Sequence, residues 1–266
     1  MTNNYPSPQH NKSLSLGIST KHHILSSCII SEFSSCGYLY VFSETAQKIE
    51  RKSRSWRGSW LPRQWSHGAE KVAASYEKGL HNKIARCKSE RVFRSHSAAS
   101  EYYAAWRAKD YLSRNVLEDQ ELFGCSAGDL NDVELDVLES RNITGIVSRG
   151  GRAIVRGVDY TGSKMLMDIM AFLSENPDVK WQLVISQAGD FVAPMTPPKL
   201  SIIPICPDMV LVAVQQGKRH SPLVIRDQGR IDEINLDMVV GEDRLFVGRK
   251  RATVERVAKL KKQGHP

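Results

Sequence analysis

The chain of 266 residues carries 37 Lys and Arg against 29 Asp and Glu, a net charge of +8, with 41% apolar and 25% charged residues. That length and apolar share suffice for one large domain or two small ones around a real core, and the charge favours anionic partners such as nucleic acid or anionic lipid. Five scattered cysteines (28, 36, 87, 125, 206) without a C-x-x-C pair argue against a disulfide framework or a zinc site, and apolar runs such as Met209 to Val214 are too short to span a bilayer. With no apolar signal core near Met1, a soluble cytoplasmic protein is expected.

Residues 1–20 are polar and rich in Ser and Asn, the composition of a loose tail. Lys21-His22-His23 then opens an apolar run to Phe33, and Cys36-Gly37 punctuates the chain before a strand pattern at 38–43. From Lys48 to Arg63 the chain is basic: Lys48, Arg51, Lys52, Arg54, Arg57 and Arg63 face only Glu50, with Trp56 and Trp60 interleaved and Trp65 just beyond. Residues 68–88 give the clearest helix, with Val72, Tyr76, Leu80 and Ile84 recurring at i+4 as a buried stripe and Glu70, Glu77 and His81 on a shared line.

A second helix is expected over 98–117, with bulk from Tyr102, Tyr103 and Trp106. The charge sign flips over 117–140, where Glu118, Asp119, Glu121, Asp129, Asp132, Glu134, Asp136 and Glu139 occur without Lys or Arg. Leu130, Val133, Val137 and Leu138 fit an amphipathic helix in the second half of that block. Arg149-Gly150-Gly151-Arg152 reads as a turn, and a helix over 163–174 is apolar nearly all round, hence expected to be buried, until Asn176-Pro177 stops it. Strand patterns follow at 182–186, 200–205, 209–214 and 222–226, kept short by prolines at 194, 197, 198, 204 and 207. A helix over 231–246 precedes a basic tail. The fold class is α+β: a single mixed domain over 21–248, helix-rich in its first two thirds, with short antiparallel strands around 182–226, a C-terminal helix and a basic tail at 249–266.

Chemistry-bearing residues are few. Adjacent His22 and His23 point to opposite faces of a strand, or about 100° apart on a helix, so at most one faces a site; the alternative is a capping or core histidine. The line of Glu70, Glu77 and His81 suits proton work or metal binding, and equally a solvated helix face. Arg51, Lys52, Arg54, Trp56, Arg57, Trp60 and Arg63 combine cations for phosphate with rings for base stacking, although the tryptophans also fit a core. Phosphate-loop, dinucleotide-binding, nucleophile-elbow and zincin motifs are absent, no metal ligand set is assigned, and no cofactor class follows.

Taken together, Lys21-His22-His23 with Ile30 and Phe33, the strand Leu39 to Phe42, Glu70 with Tyr76-Glu77, Phe191 to Pro198, Ile205 to Leu211 and Ile234-Asn235 resemble the bacterial and phage domain-of-unknown-function family 4238, whose consensus opens K-H-H-Y-V-P-Q. The resemblance covers about residues 21–250 and has the Asn235-bearing helix end at Leu245-Phe246. It implies a polar site built from His22 or His23, Glu77 and Asn235 together with an Asp. This chain departs from it with Ile24, Ser26 and Ser27 after the histidines, and with Pro194-Met195-Thr196-Pro197 where the Asp belongs. A thioether neither binds a hard metal nor acts as a base, so the motif is degenerate.

The expected function is therefore a non-catalytic or weakly active scaffold that binds a macromolecular partner, nucleic acid or protein, in the phage-defence, counter-defence or mobile-element setting that the resemblance implies. The alternative is a nucleic-acid-directed hydrolase using His22, His23, Glu77 and Asn235. Expected partners are nucleic acid, or a protein or second copy engaged through acidic 117–140 and the basic segments, and no membrane.

Overall fold

A computed structural model describes residues 21–54, 56, 60–62, 64–115, 117–125, 127–141, 143, 145–214, 221–239 and 245–264, with the backbone alone at 21–23, 60–62 and 132. The expected tail at 1–20 lies outside these residues. The described chain opens with β1 (Lys21–His23) and the short helix α1 (Ser27–Glu32), whose first turn is capped by the Ser26 hydroxyl. β2 (Tyr38–Ser43) and β3 (Lys48–Ser53) form a hairpin, and β4 (Trp60–Pro62) returns antiparallel to β1 with His22 opposite Leu61.

The strongest helix pattern becomes α2 (His67–Glu90). The Ser66 hydroxyl caps it by accepting from the Ala69 amide, Glu70 lies in its positive first turn, and Arg91 closes it in the left-handed region at φ 54°. Its buried face is Ala69, Ala73, Leu80, Ile84 and Cys87, while Val72 and Tyr76 are only half-buried. α3 (His96–Arg114) is longer-sided, burying Tyr102, Tyr103 and Trp106 toward the sheets and Ala104, Ala105, Ala108 and Leu112 toward its neighbouring helices.

The acidic block folds into β5 (Gln120–Leu122) and α4 (Asp132–Ser140), the latter opened by a capping box between Asn131 and Glu134. β6 (Ile146–Arg149) and β7 (Arg152–Val155) form a hairpin about Gly150 and Gly151, whose φ values of 60° and 78° are the positive ones such a turn needs. The sheet order is β5-β7-β6. These strands were not legible as strands in the sequence.

α5 (Gly157–Glu175) packs on α3 and α2. Alanines at 69, 73, 104, 105 and 108 let the three helices approach around Trp65, Met165 and Ile169. Gly162 sits where α5 meets the start of α2, since a Cβ there would lie 2.3 Å from the Ser66 Oγ. The expectation that this helix is buried all round is corrected: Met167 and Met170 are 66% and 69% exposed. Two neighbours cover only one side of a helix whose remaining faces stay in solvent.

β8 (Lys180–Ser186), β10 (Ile202–Cys206), β11 (Met209–Val214) and β12 (Leu223–Ile225) make a sheet ordered β10-β11-β8-β12. The first three strands are antiparallel as expected, but β12 runs parallel to β8, with Leu223 beside Val184. The second sheet is ordered β3-β2-β13-β9, from β9 (Ala193–Pro194) and β13 (Leu245–Gly248). The helix expected over 231–246 is instead α6 (Gln228–Val239), and Leu245-Phe246 belongs to β13, where Phe246 meets Phe42 at 5.1 Å between ring centroids. Residues 251–262, expected as a basic tail, form α7 (Arg251–Lys262). Val254, Val257 and Ala258 recur at i, i+3 and i+4 and bury that helix in the core despite its many cations.

Both sheets are covered on two faces. Leu39, Val41 and Val247 join Leu183, Ile203 and Leu211 against α1, α2 and α3, while Phe42, Phe246, Val184 and Val210 meet Ile231, Val239, Val254 and Val257 of α6 and α7. Coverage of both faces is why these strands read as continuous apolar runs. The architecture is α+β, and among the described residues no helix is long and apolar enough to cross a membrane.

Candidate functional site

The i, i+7 spacing of Glu70 and Glu77 puts both carboxylates on the α2 face that meets α3. There they converge on Lys109, whose Nζ donates to Glu70 Oε1 at 3.1 Å and to Glu77 Oε1 at 2.8 Å. The Lys109 side chain is 1% exposed, and the Trp65 indole donates to the second Glu70 oxygen at 2.6 Å. Burial alone would lower the Lys109 pKa, but the charges of Glu77 and Glu70 outweigh it and hold the ammonium above its ordinary value. The Tyr102 phenol, buried and beside Glu77, is pushed well above its usual range by burial first and by that carboxylate second. A protonated lysine, two ion-paired carboxylates and a neutral phenol form a fixed-charge cage. Such a cage is suited to joining α2 and α3 rather than to moving protons.

His81, on the same line in the sequence, is exposed and takes no part in the cage. The member that the sequence reading missed is Lys109. Its signal was present: it shares the Ala105, Ala108 and Leu112 stripe, where periodicity alone calls for an apolar side chain.

The other proposed catalytic residues do not join Glu77 as a described constellation. His22 and His23 are placed as backbone in β1, and their side chains lie outside the described set. Asn235 is fully buried on α6, where its Oδ1 accepts from the Val192 amide at 2.9 Å and its Nδ2 donates to the Asp190 carbonyl at 3.1 Å. Both ends of the amide are committed to the backbone leading into β9, which is a structural use. Met195 is buried as well, its carbonyl accepting from the Trp106 indole at 3.3 Å. Among the described residues no group of three His, Cys, Asp or Glu side chains is arranged to hold a metal.

A second buried network lies at the junction of α2, α4 and α5. Arg156 donates to Asp159 at 2.7 Å and to Glu139 at 3.2 Å, and Glu139 also accepts from the His67 amide at 2.5 Å. Near the end of α2, Arg91 pairs with Asp208 at 3.0 Å, and the Cys206 thiol donates to the same carboxylate at 3.1 Å. Burial pushes Asp208 up, but the Cys206 and Arg91 bonds outweigh it and its pKa is lowered. Cys206 itself is pushed up to about 12 by burial and by Asp208, which keeps it an unreactive thiol. All five cysteines are free.

The proposed nucleic-acid-binding residues divide. Lys52 and Lys48 both pair with Glu50, at 2.9 and 3.1 Å, whereas Arg51 lies 3.9 Å over the Tyr38 ring and Arg54 is exposed. Trp56 is half-buried and packs against the core. Trp60 is placed as backbone in β4, and Arg57 and Arg63 lie outside the described residues. What the sequence did not reveal is that α7 packs on β2 and β3. Lys261 donates to Glu44 in the β2–β3 turn at 3.0 Å, which sets the exposed Lys259 and Lys262 beside that hairpin. Two basic segments some two hundred residues apart in sequence thus meet in one basic edge.

No protein family, curated protein or solved structure matches this chain.

Proposed function

We propose that the protein is a non-catalytic binding protein whose partner is nucleic acid, engaged along the basic edge of β3 and α7. The observation that carries this reading is the packing of α7 on β2 and β3, which brings the exposed Lys259 and Lys262 in the last turn of α7 onto the hairpin that carries Arg51. By strand register Arg51 lies opposite Tyr40, on the sheet face that α7 covers. An edge strand with adjacent cations tracks a phosphate backbone through charge, and its affinity falls with salt as counterions are released. The commitment of Glu77 to Lys109 and of Asn235 to the backbone supports binding over hydrolysis.

The test is fluorescence anisotropy with a labelled single-stranded oligonucleotide across a salt series. The expected result is saturable binding with a negative log–log salt slope, and the double variant Lys259→Glu, Lys262→Glu makes that slope shallower by about one for each phosphate it no longer neutralises. Binding that ignores salt, or that survives the double variant unchanged, overturns the reading. Oligonucleotide cleavage that disappears in Glu77→Gln would put the hydrolase in its place.

A further inference from the structure

A groove of about 780 Å³ opens between α3, α5 and the segment 197–201, well away in the chain from the elements of the basic edge. Its size is within the range of small-molecule sites, roughly 300–1,000 Å³. Four cations line it, and two are already neutralised: Arg114 pairs with Asp110 at 2.8 Å and Lys164 with Asp168. Arg107 and Lys199 have no carboxylate partner among the described residues. Arg107 is held with its guanidinium 5.2 Å from the Phe172 ring centroid and 6.0 Å from that of Tyr103. Tyr103 in turn donates its hydroxyl to the Pro198 carbonyl at 3.1 Å, which fixes the segment bearing Lys199 against α3. The two partnerless cations therefore sit on walls joined by a buried hydrogen bond.

One turn beyond Arg107 on the same α3 face, Tyr111 is 56% exposed and offers its ring to the groove. The remaining carboxylate of the lining, Glu175, favours a ligand that also carries a hydrogen-bond donor over a bare polyphosphate. We infer that this groove binds a nucleoside monophosphate, with the phosphate held by Arg107 and Lys199 and the base against Tyr111. Arg107, held beside two aromatic rings and unmatched by a carboxylate among the described residues, is the principal phosphate contact. The ring of Tyr111 supplies the stacking surface.

Isothermal titration of the full chain with adenosine 5′-monophosphate tests the site, with adenosine and inorganic phosphate as parallel probes. The expected result is one saturable site with a Kd below about 1 mM. Affinity should fall about tenfold or more in Arg107→Glu and severalfold in Lys199→Ala. Tyr111→Ala should weaken the nucleotide and leave phosphate unaffected. Lys199 is exposed, so its variant keeps the test decisive if Arg107→Glu unfolds, which circular dichroism would reveal. The double variant Lys259→Glu, Lys262→Glu should bind the nucleotide as the parent does. The proposal is overturned by no saturable binding at millimolar nucleotide, by equal affinity for nucleotide and inorganic phosphate, by unchanged affinity in Lys199→Ala, or by loss in the α7 double variant.

Discussion

The acidic block and the basic edge look like matched halves in the sequence, yet the fold treats them in opposite ways. Asp119 accepts from Arg149 at 2.5 Å and from the Gly157 amide at 2.7 Å, Glu121 from Arg152 at 3.1 Å, and Glu134 from the Asn131 amide at 2.8 Å. Glu139 is drawn inside to Arg156 and His67. The block that holds no cation of its own is served by arginines just downstream, delivered by the β6–β7 hairpin and the start of α5. At least four of its eight carboxylates are thereby engaged within the fold. The basic edge receives Glu44 and Glu50 but keeps Arg51, Lys259 and Lys262 exposed. A run of like charge is thus a statement about partners only after the fold has used what it needs.

The comparison is broken most severely inside the molecule, where a buried charge meets a half-buried partner: Lys109 against Glu70 and Glu77, and Glu139 and Asp159 against Arg156. Lys109→Met leaves Glu70 and Glu77 without their cation, and Arg156→Met does the same to Glu139 and Asp159. Either substitution should cost about 3–5 kcal/mol in urea denaturation, because an uncompensated buried charge is left behind. Adding Glu70→Gln and Glu77→Gln to Lys109→Met should recover most of the loss. A single-variant cost below about 1 kcal/mol would show the cage to be a solvated ion pair. The sign of the pH dependence follows from the raised Lys109 pKa. Its contribution is fully present below the unfolded lysine value of about 10.4 and is lost as pH rises through the higher folded value. Alkaline unfolding of the parent should show this limb, and Lys109→Met should lack it.

Helix periodicity was the legible part of the fold. Leu80 and Ile84 are buried where the i+4 stripe places them, and the strands at 182–186 and 209–214 are continuous apolar runs that any reading would find. Less legible was what depends on a distant partner. Leu245-Phe246 extends a helical-looking segment until it is seen to fill the slot between β2 and β9, and Val254, Val257 and Ala258 are outnumbered by the cations around them. In the candidate site, the sequence marked Glu70 and Glu77 as a line but not their target, because Lys109 lies one helix away. Asn235 could be singled out as polar on a helix, but its amide partners come from a loop some forty residues earlier.

Smaller effects test the junctions that deliver those charges. Gly162→Ala pushes a methyl group against the hydroxyl that caps α2, and should destabilise by about 1–3 kcal/mol through overpacking. Because Ser66 caps the helix that carries Glu70, hydrogen exchange should rise first in the opening turn of α2. Asp208→Asn should act at neutral pH and lose its effect in acid. The folded pKa of Asp208 is lowered, so its contribution is present above the unfolded value of about 3.9 and is lost as pH falls through the folded value. The variant should be less stable than the parent at neutral pH and should converge with it in acid, as read by thermal melts over a pH series.

The smallest expected effect bears most directly on the comparison. The pairs of Arg149 with Asp119 and Arg152 with Glu121 are solvent-exposed, so Arg149→Ala and Arg152→Ala should each change stability by no more than about 1 kcal/mol. Asp119 would keep its bond to the Gly157 amide at the N-terminus of α5, where a carboxylate is favoured by the helix dipole, so the hairpin itself should persist. What the double variant changes is the charge at that end of the molecule, since two carboxylates lose their cations. If oligonucleotide affinity belongs to the β3–α7 edge alone, it should stay within about twofold of the parent at physiological salt, where fields between exposed charges fade over about 8 Å. A larger fall would mean that the arginines of the β6–β7 hairpin themselves contact phosphate, and the acidic block would then be the device that holds them in place.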